Sequence, residues 1–182
     1  LAQALTDGLF AIENASTADL SIAEDAARLA VAIDPDSQQA QMLAQRATVL
    51  PQVIEHLQAG DRRLASKQFE AAKSAYQQAA NQDSQHLRAA EALDSIEKTI
   101  IRERFRGYMS TGFKALDQDN FVAANHAFNS ARGLYNSDPA VAQALSQVTT
   151  RQSQIAVSLQ MQEAAGYEKD ERWSAALEIY QS

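Results

Sequence analysis

The sequence predicts an all-α fold: a solenoid of antiparallel helical hairpins in which long helices of about 30 residues alternate with short ones of about 14. Three observations carry this. One segment recurs three times, as Phe69-x2-Ala72-x3-Tyr76, Phe121-x2-Ala124-x3-Phe128 and Trp173-x2-Ala176-x3-Tyr180, at a constant interval of 52 residues (121 − 69 and 173 − 121). An interval of that size marks an array of helical units. The hydrophobic residues, 46% of the chain, are dominated by Ala, with only six Gly and three Pro, a composition that favours helix and lets helices approach closely. Finally, the apolar positions fall at three- and four-residue steps.

Taken in chain order, Leu20, Ala23, Ala27 and Ala30 before Asp34-Pro35 mark a short helix from Ala18 to Ala32, within a degenerate copy of the repeat at 4–37. A long helix from Ser37 to Ser66 starts on Asp36-Ser37 and carries Met42, Leu43, Val49 and Leu50; Pro51 is expected to kink it by removing one hydrogen bond. A short helix from Lys67 to Asn81 holds the first recurring segment. The next long helix, Ser84 to Asp117, starts on Asp83-Ser84 and reads Leu87, Ala90, Leu93, Ile96 and Ile100 on into Phe105, Tyr108 and Phe113 with no turn signal between. A short helix from Asn120 to Leu134 holds the second segment, and Ser137-Asp138-Pro139, with Pro at the first helical position, starts a last long helix from Asp138 to Lys169. A helix of some 33 residues is about 50 Å long, so successive long helices are expected to pack on each other or on something else.

Gly60 and Gly112 each lie nine residues before the first aromatic of a segment, and Ala79 and Ala131 three residues after the second, so small residues fall where the helices of a hairpin approach most closely. The pattern Gly…Phe-x2-Ala-x3-[Tyr/Phe]-x2-Ala resembles the tetratricopeptide repeat, a helix-turn-helix of about 34 residues. On this resemblance, residues 1–182 form one right-handed repeat domain, with copies at 4–37, 53–86 and 105–138 and a copy at 157–182 that is cut off in its second helix. The chain is therefore expected to be a fragment of a longer polypeptide. Departures from the family pattern are His56 and Tyr108 at its early Trp, Ala59 and Thr111 at the Leu before Gly, Ala164 in place of Gly, and a period about 18 residues too long.

The resemblance implies a concave binding face made by the first helix of each hairpin. Its exposed positions correspond to Ile54, Leu57, Asp61, Leu64 and Ala65 in one copy and to Arg106, Met109, Phe113, Leu116 and Asp117 in the next. The partner-binding candidates are thus Ile54, Leu57, Asp61, Leu64, Arg106, Met109, Phe113 and Leu116, an apolar set rimmed by charge that suits an amphipathic helix or an extended peptide. The Lys and Asn set with which some members clamp a C-terminal carboxylate is missing from these positions.

Other chemistry finds little support in the residues. A net charge of −7 argues against nucleic acid and anionic membrane surfaces as partners. Without Cys there are no disulfides, thiolate metal ligands or Cys nucleophiles, and no run of apolar residues approaches the roughly 18 of a membrane span. Gly107 to Lys114 imitates a phosphate loop but lacks Gly-Lys-Ser/Thr, a preceding strand and a following helix start. His56, His86 and His126 lack the partners of a metal or catalytic motif, so surface or interhelix packing is expected of them. The acid pairs Asp117/Asp119 and Asp170/Glu171 fall in turns, Arg102, Arg104 and Arg106 on a solvated face, and Asn14-Ala15-Ser16 matches a glycosylation sequon.

No catalytic residue, cofactor or metal is therefore expected. The chain reads as a non-catalytic scaffold for a protein or peptide, with a structural spacer or self-association module as the alternative. Its Gln and Ala richness and lack of Cys point toward a bacterial cell envelope.

Overall fold

The computed structural model describes residues 1–181, which form eight α-helices and no strand among the described residues. They are α1 (Ala2–Asn14), α2 (Leu20–Ile33), α3 (Gln38–Ala65), α4 (Phe69–Gln82), α5 (Leu87–Asp117), α6 (Phe121–Leu134), α7 (Pro139–Lys169) and α8 (Trp173–Gln181), with one 3-10 turn at Thr17–Asp19. The chain divides into two compact units at Ile100/Ile101, inside α5. Each unit has its own core.

In the first unit, Ile12 of α1, Ala23 and Ala30 of α2, and Leu43, Leu50, Val53, Ile54 and Leu57 of α3 form one buried cluster with Ala72, Tyr76 and Ala79 of α4 and Ala89, Ile96 and Ile100 of α5. In the second unit, Ala115 of α5, Ala124 and Phe128 of α6, and Ala144 and Val148 of α7 form a smaller cluster. Helix α3, about 42 Å long at 1.5 Å per residue, continues through Pro51.

Helix starts follow from side-chain acceptors that satisfy otherwise unpaired first-turn N–H groups. Ser37 Oγ accepts from Ala40 N, Asn120 Oδ1 from Ala123 N (3.1 Å) and Asp138 Oδ1 from Ala140 N (2.8 Å), with Pro139 at the first position of α7. Helix α5 is capped differently, because His86 Nδ1 accepts from Ala89 N at 3.3 Å. After each of the caps Ser37, His86 and Asp138 an apolar residue stands three, six and ten positions on: Ala40, Leu43 and Ala47; Ala89, Ala92 and Ile96; Val141, Ala144 and Val148. These positions cover the preceding short helix.

The turns repeat with the same period as the sequence. Four non-glycine residues adopt positive φ, Ala15 (48°), Lys67 (57°), Asp119 (55°) and Glu171 (58°), each 52 residues after the one before. At the last three the backbone bonds coincide. Lys67 N bonds Leu64 O and Gln68 N bonds Arg63 O; Asp119 N bonds Leu116 O and Asn120 N bonds Ala115 O; Glu171 N bonds Glu168 O and Arg172 N bonds Tyr167 O. This is the Schellman closure, which usually places Gly at the left-handed residue. The Ala15 turn closes by a single bond to Ala11 O and runs into the 3-10 turn, where Asp19 accepts from Asn14 and Ser16.

The recurring Gly and aromatic meet directly. A Cβ added to Gly60 would lie closer than 3.0 Å to the Tyr76 ring, and one added to Gly112 would collide in the same way with Phe128. In the first copy the same space is filled from the other side. Gly8 faces the Leu43 methyls at 2.7 and 2.9 Å, while Ala27 occupies the α2 position that corresponds to Tyr76 and Phe128. The residue corresponding to Leu43 is Ala92 in α5 and Ala144 in α7. A large residue thus reaches the glycine either from the short helix or from the long helix that follows, and the opposite position is Ala.

Candidate functional site

The eight candidate residues fall in both units. In the first, Ile54 (3% exposed) and Leu57 (1%) lie in the core, where no partner reaches them. Asp61 and Leu64 are exposed on the last turns of α3. Asp61 is already engaged: its Oδ1 accepts from Tyr76 Oη at 2.8 Å and its Oδ2 from Arg88 Nη2 at 2.9 Å. Burial of the phenol, then the hydrogen bond to the Asp61 carboxylate, push Tyr76 up to about 12.

In the second unit, Arg106, Met109, Phe113 and Leu116 fall at three- and four-residue steps along α5, on one helix face. Arg106 is exposed and pairs with Glu103 at 3.0 Å. Met109 and Leu116 are half-buried against the core cluster. Phe113, 39% exposed, stands edge-on to Phe128 with ring centroids 5.1 Å apart and planes at 70°. Phe105 makes a similar contact with Tyr135 at 5.0 Å and 83°. At the corresponding positions of the third copy, Ser158 and Met161 line an open cleft of about 600 Å³ along α7 with Thr149, Ser153 and Val157. Their spacing, 52 residues after Arg106 and Met109, was the signal that could have identified them.

The most elaborate polar arrangement lies elsewhere, in the first unit. Arg46 of α3 donates to Asp83 Oδ2 at 2.7 Å and to Glu13 Oε1 at the end of α1. Glu13 Oε2 accepts from Leu87 N at 2.8 Å, and Asp83 Oδ1 from Gln85 N at 3.0 Å. His86, 1% exposed, bonds Ile12 O through Nε2 at 3.0 Å while Nδ1 accepts from Ala89 N. The ring proton therefore sits on Nε2, and both nitrogens are committed to the backbone. Burial opposes the Arg46 charge, but the bonds to Glu13 and Asp83 outweigh it and hold the guanidinium above its ordinary value. The cluster ties α1 and α3 to the start of α5. Its imidazole offers no free nitrogen for proton transfer.

The remaining candidates are distributed as their positions dictate. His56 is half-buried and His126 exposed, on separate helices. Gly107 and Gly112 lie inside α5, so no phosphate loop exists there. Asp119 in its turn accepts from Arg151 Nε of α7 at 3.0 Å. Among the described residues no three His, Cys, Asp or Glu side chains come together as a metal site, and no helix is long and apolar enough to cross a membrane.

The fold defines a chain of helical hairpins closed by one recurrent turn. No protein-family model, curated protein or solved structure matches it.

Proposed function

We propose that this chain is a non-catalytic scaffold, a tetratricopeptide-like right-handed solenoid that holds a peptide or a partner protein on its concave face. The observation that supports the reading best is the recurrence of one hairpin backbone at 52-residue intervals with changing side chains at its turns. What such a chain repeats is a shape and not a reacting group. The binding residues then narrow to Arg106, Met109, Phe113 and Leu116, with Asp61 and Leu64 in the first unit, since Ile54 and Leu57 are buried. Phe113 supplies an aromatic anchor beside apolar neighbours, with Arg106 at the rim, a combination that dominates binding energy at interfaces. The test is an affinity capture comparing the unaltered chain with Arg106→Glu and Phe113→Glu, each checked for helix content. A partner lost from both variants supports the proposal, and equal recovery by both refutes it.

Val157, Leu159 and Met161, each at least 49% exposed on α7, favour a second reading as a self-association module. Light scattering across a concentration series separates the two, because a concentration-independent monomer counts against self-association.

A further inference from the structure

We propose that the exposed face of α8 docks a helix that begins on a capping side chain and carries apolar residues three, six, ten and eleven positions after it. The first three positions come from what covers the other short helices. Each of α2, α4 and α6 packs against the helix that follows it, and each covering helix has an apolar residue three, six and ten positions after its cap. Under that cover Tyr76 is 2% and Phe128 0% exposed, and Phe69 and Phe121 are half-buried. On α8 the corresponding residues stand open, with Trp173 64% and Tyr180 52% exposed, while Ala176 is buried against its own hairpin. The α8 face has the same residue types in the same register and differs in lacking the covering helix.

The fourth position comes from an ion pair. Lys73 of α4 meets Glu97 of α5 at 2.7 Å, and Glu97 stands eleven residues after the His86 cap. On α8 the residue corresponding to Lys73 is Leu177, 56% exposed between Trp173 and Tyr180. A glutamate opposite Leu177 would lose its counter-charge and be desolvated against a methyl surface, so the occupant carries an apolar side chain there. The surface lies on α8, apart from the α5 residues proposed above for partner binding. Its occupant is defined by the internal packing of this chain.

Trp173 is the sole Trp of the chain and lies in the face, so its emission reports occupancy directly. The probe is a synthetic peptide of residues 136–152, which holds the Asp138 cap with Val141, Ala144 and Val148, and has Thr149 at the eleventh position. A second peptide carries Thr149→Leu. Titrated into the full 182-residue chain, both are expected to shift Trp173 emission to the blue in a saturable way. The Leu peptide should bind about fivefold more tightly, from the extra apolar area buried on Leu177. Leu177→Glu in the chain, with helix content unchanged, should abolish the shift. The proposal is overturned by no shift at millimolar peptide, by a shift indifferent to Leu177→Glu, or by equal affinity of the two peptides. A blue shift that grows with chain concentration in the absence of peptide assigns the face to a second copy and also overturns it.

Discussion

Leu43→Ala should be costly in the unaltered chain and cheap once Ala27 is replaced by Tyr. Leu43 is 1% exposed, and its two methyls fill the space against Gly8. Truncating such a residue loses its transfer energy and leaves a cavity, so the expected cost is about 3–4 kcal/mol. In α4 and α6 the same space beside the glycine belongs to Tyr76 and Phe128, and the position corresponding to Leu43 holds Ala. With Ala27→Tyr present, Leu43→Ala reproduces that arrangement, the ring takes the vacated volume, and the cost should fall to about 1 kcal/mol or less. The coupling between the two sites is then at least about 2 kcal/mol, well above the scatter between independent sites. Urea unfolding of the four chains of the cycle, followed by far-UV circular dichroism, measures it. Trp173 emission reports the second unit separately, so a change confined to the dichroism signal belongs to the first. A cost for Leu43→Ala that is the same in both backgrounds, within about 0.5 kcal/mol, would refute the exchange of roles between Ala27 and Leu43.

Three further outcomes are expected. Gly60→Ala and Gly112→Ala should each lose about 1–3 kcal/mol, because the new Cβ meets an aromatic ring, whereas Gly107→Ala and Gly166→Ala, with nothing within 4 Å, should each gain about 0.5–1 kcal/mol in thermal unfolding. Left-handed backbone costs an L-residue about 1–2 kcal/mol and glycine returns about half of that as chain entropy, so Lys67→Gly and Glu171→Gly should each stabilise by about 0.5–1 kcal/mol. Asp119→Gly should be near neutral in the same urea series because it also loses Arg151. Of the five Tyr, Tyr76 should ionise late in a phenolate absorbance titration, and Asp61→Asn should lower its pKa. Folding raises the Tyr76 pKa from 10.0 to about 12, so the fold favours the neutral phenol. Its contribution to stability is complete below pH 10 and is lost as pH rises toward 12.

Much of the helix content was legible because its signals are local. Ser37 and Asp138 marked helix starts that the structure places at Gln38 and Pro139, and the lack of any turn signal from Leu87 to Phe113 corresponds to one unbroken α5. The start of α5 was misplaced at Ser84 because its cap is His86, a residue with low cap preference that is fixed here by Ile12 and Glu13, more than 70 residues away. The start of α2 was misplaced at Ala18 because Asp19 binds Asn14 and Ser16 and holds a 3-10 turn before Leu20; the apparent sequon is part of that turn. The candidate face was legible as a register but not as an exposure. Ile54 and Leu57 are buried while Arg106 and Met109, one period later, are exposed and half-buried, and the packing that decides this lies outside the local pattern. The Arg46 cluster gave no sequence signal, since its members are scattered from Glu13 to His86.

The exchange of the large residue between Tyr76 or Phe128 and Leu43 sets a rule for how a chain of this kind can change its number of repeats. A duplicated block from Phe69 to Asn120 brings Tyr76 together with Ala92 in each new copy, so every added junction is correctly filled. A deletion that joins the helix of Ala27 to the helix of Ala92 leaves Gly8 facing two alanines, and the reverse junction forces Tyr76 and Leu43 into one space. Growth by unequal recombination is therefore open beyond Phe69 and closed before it, so the first hairpin is fixed in place while the later ones are free to multiply.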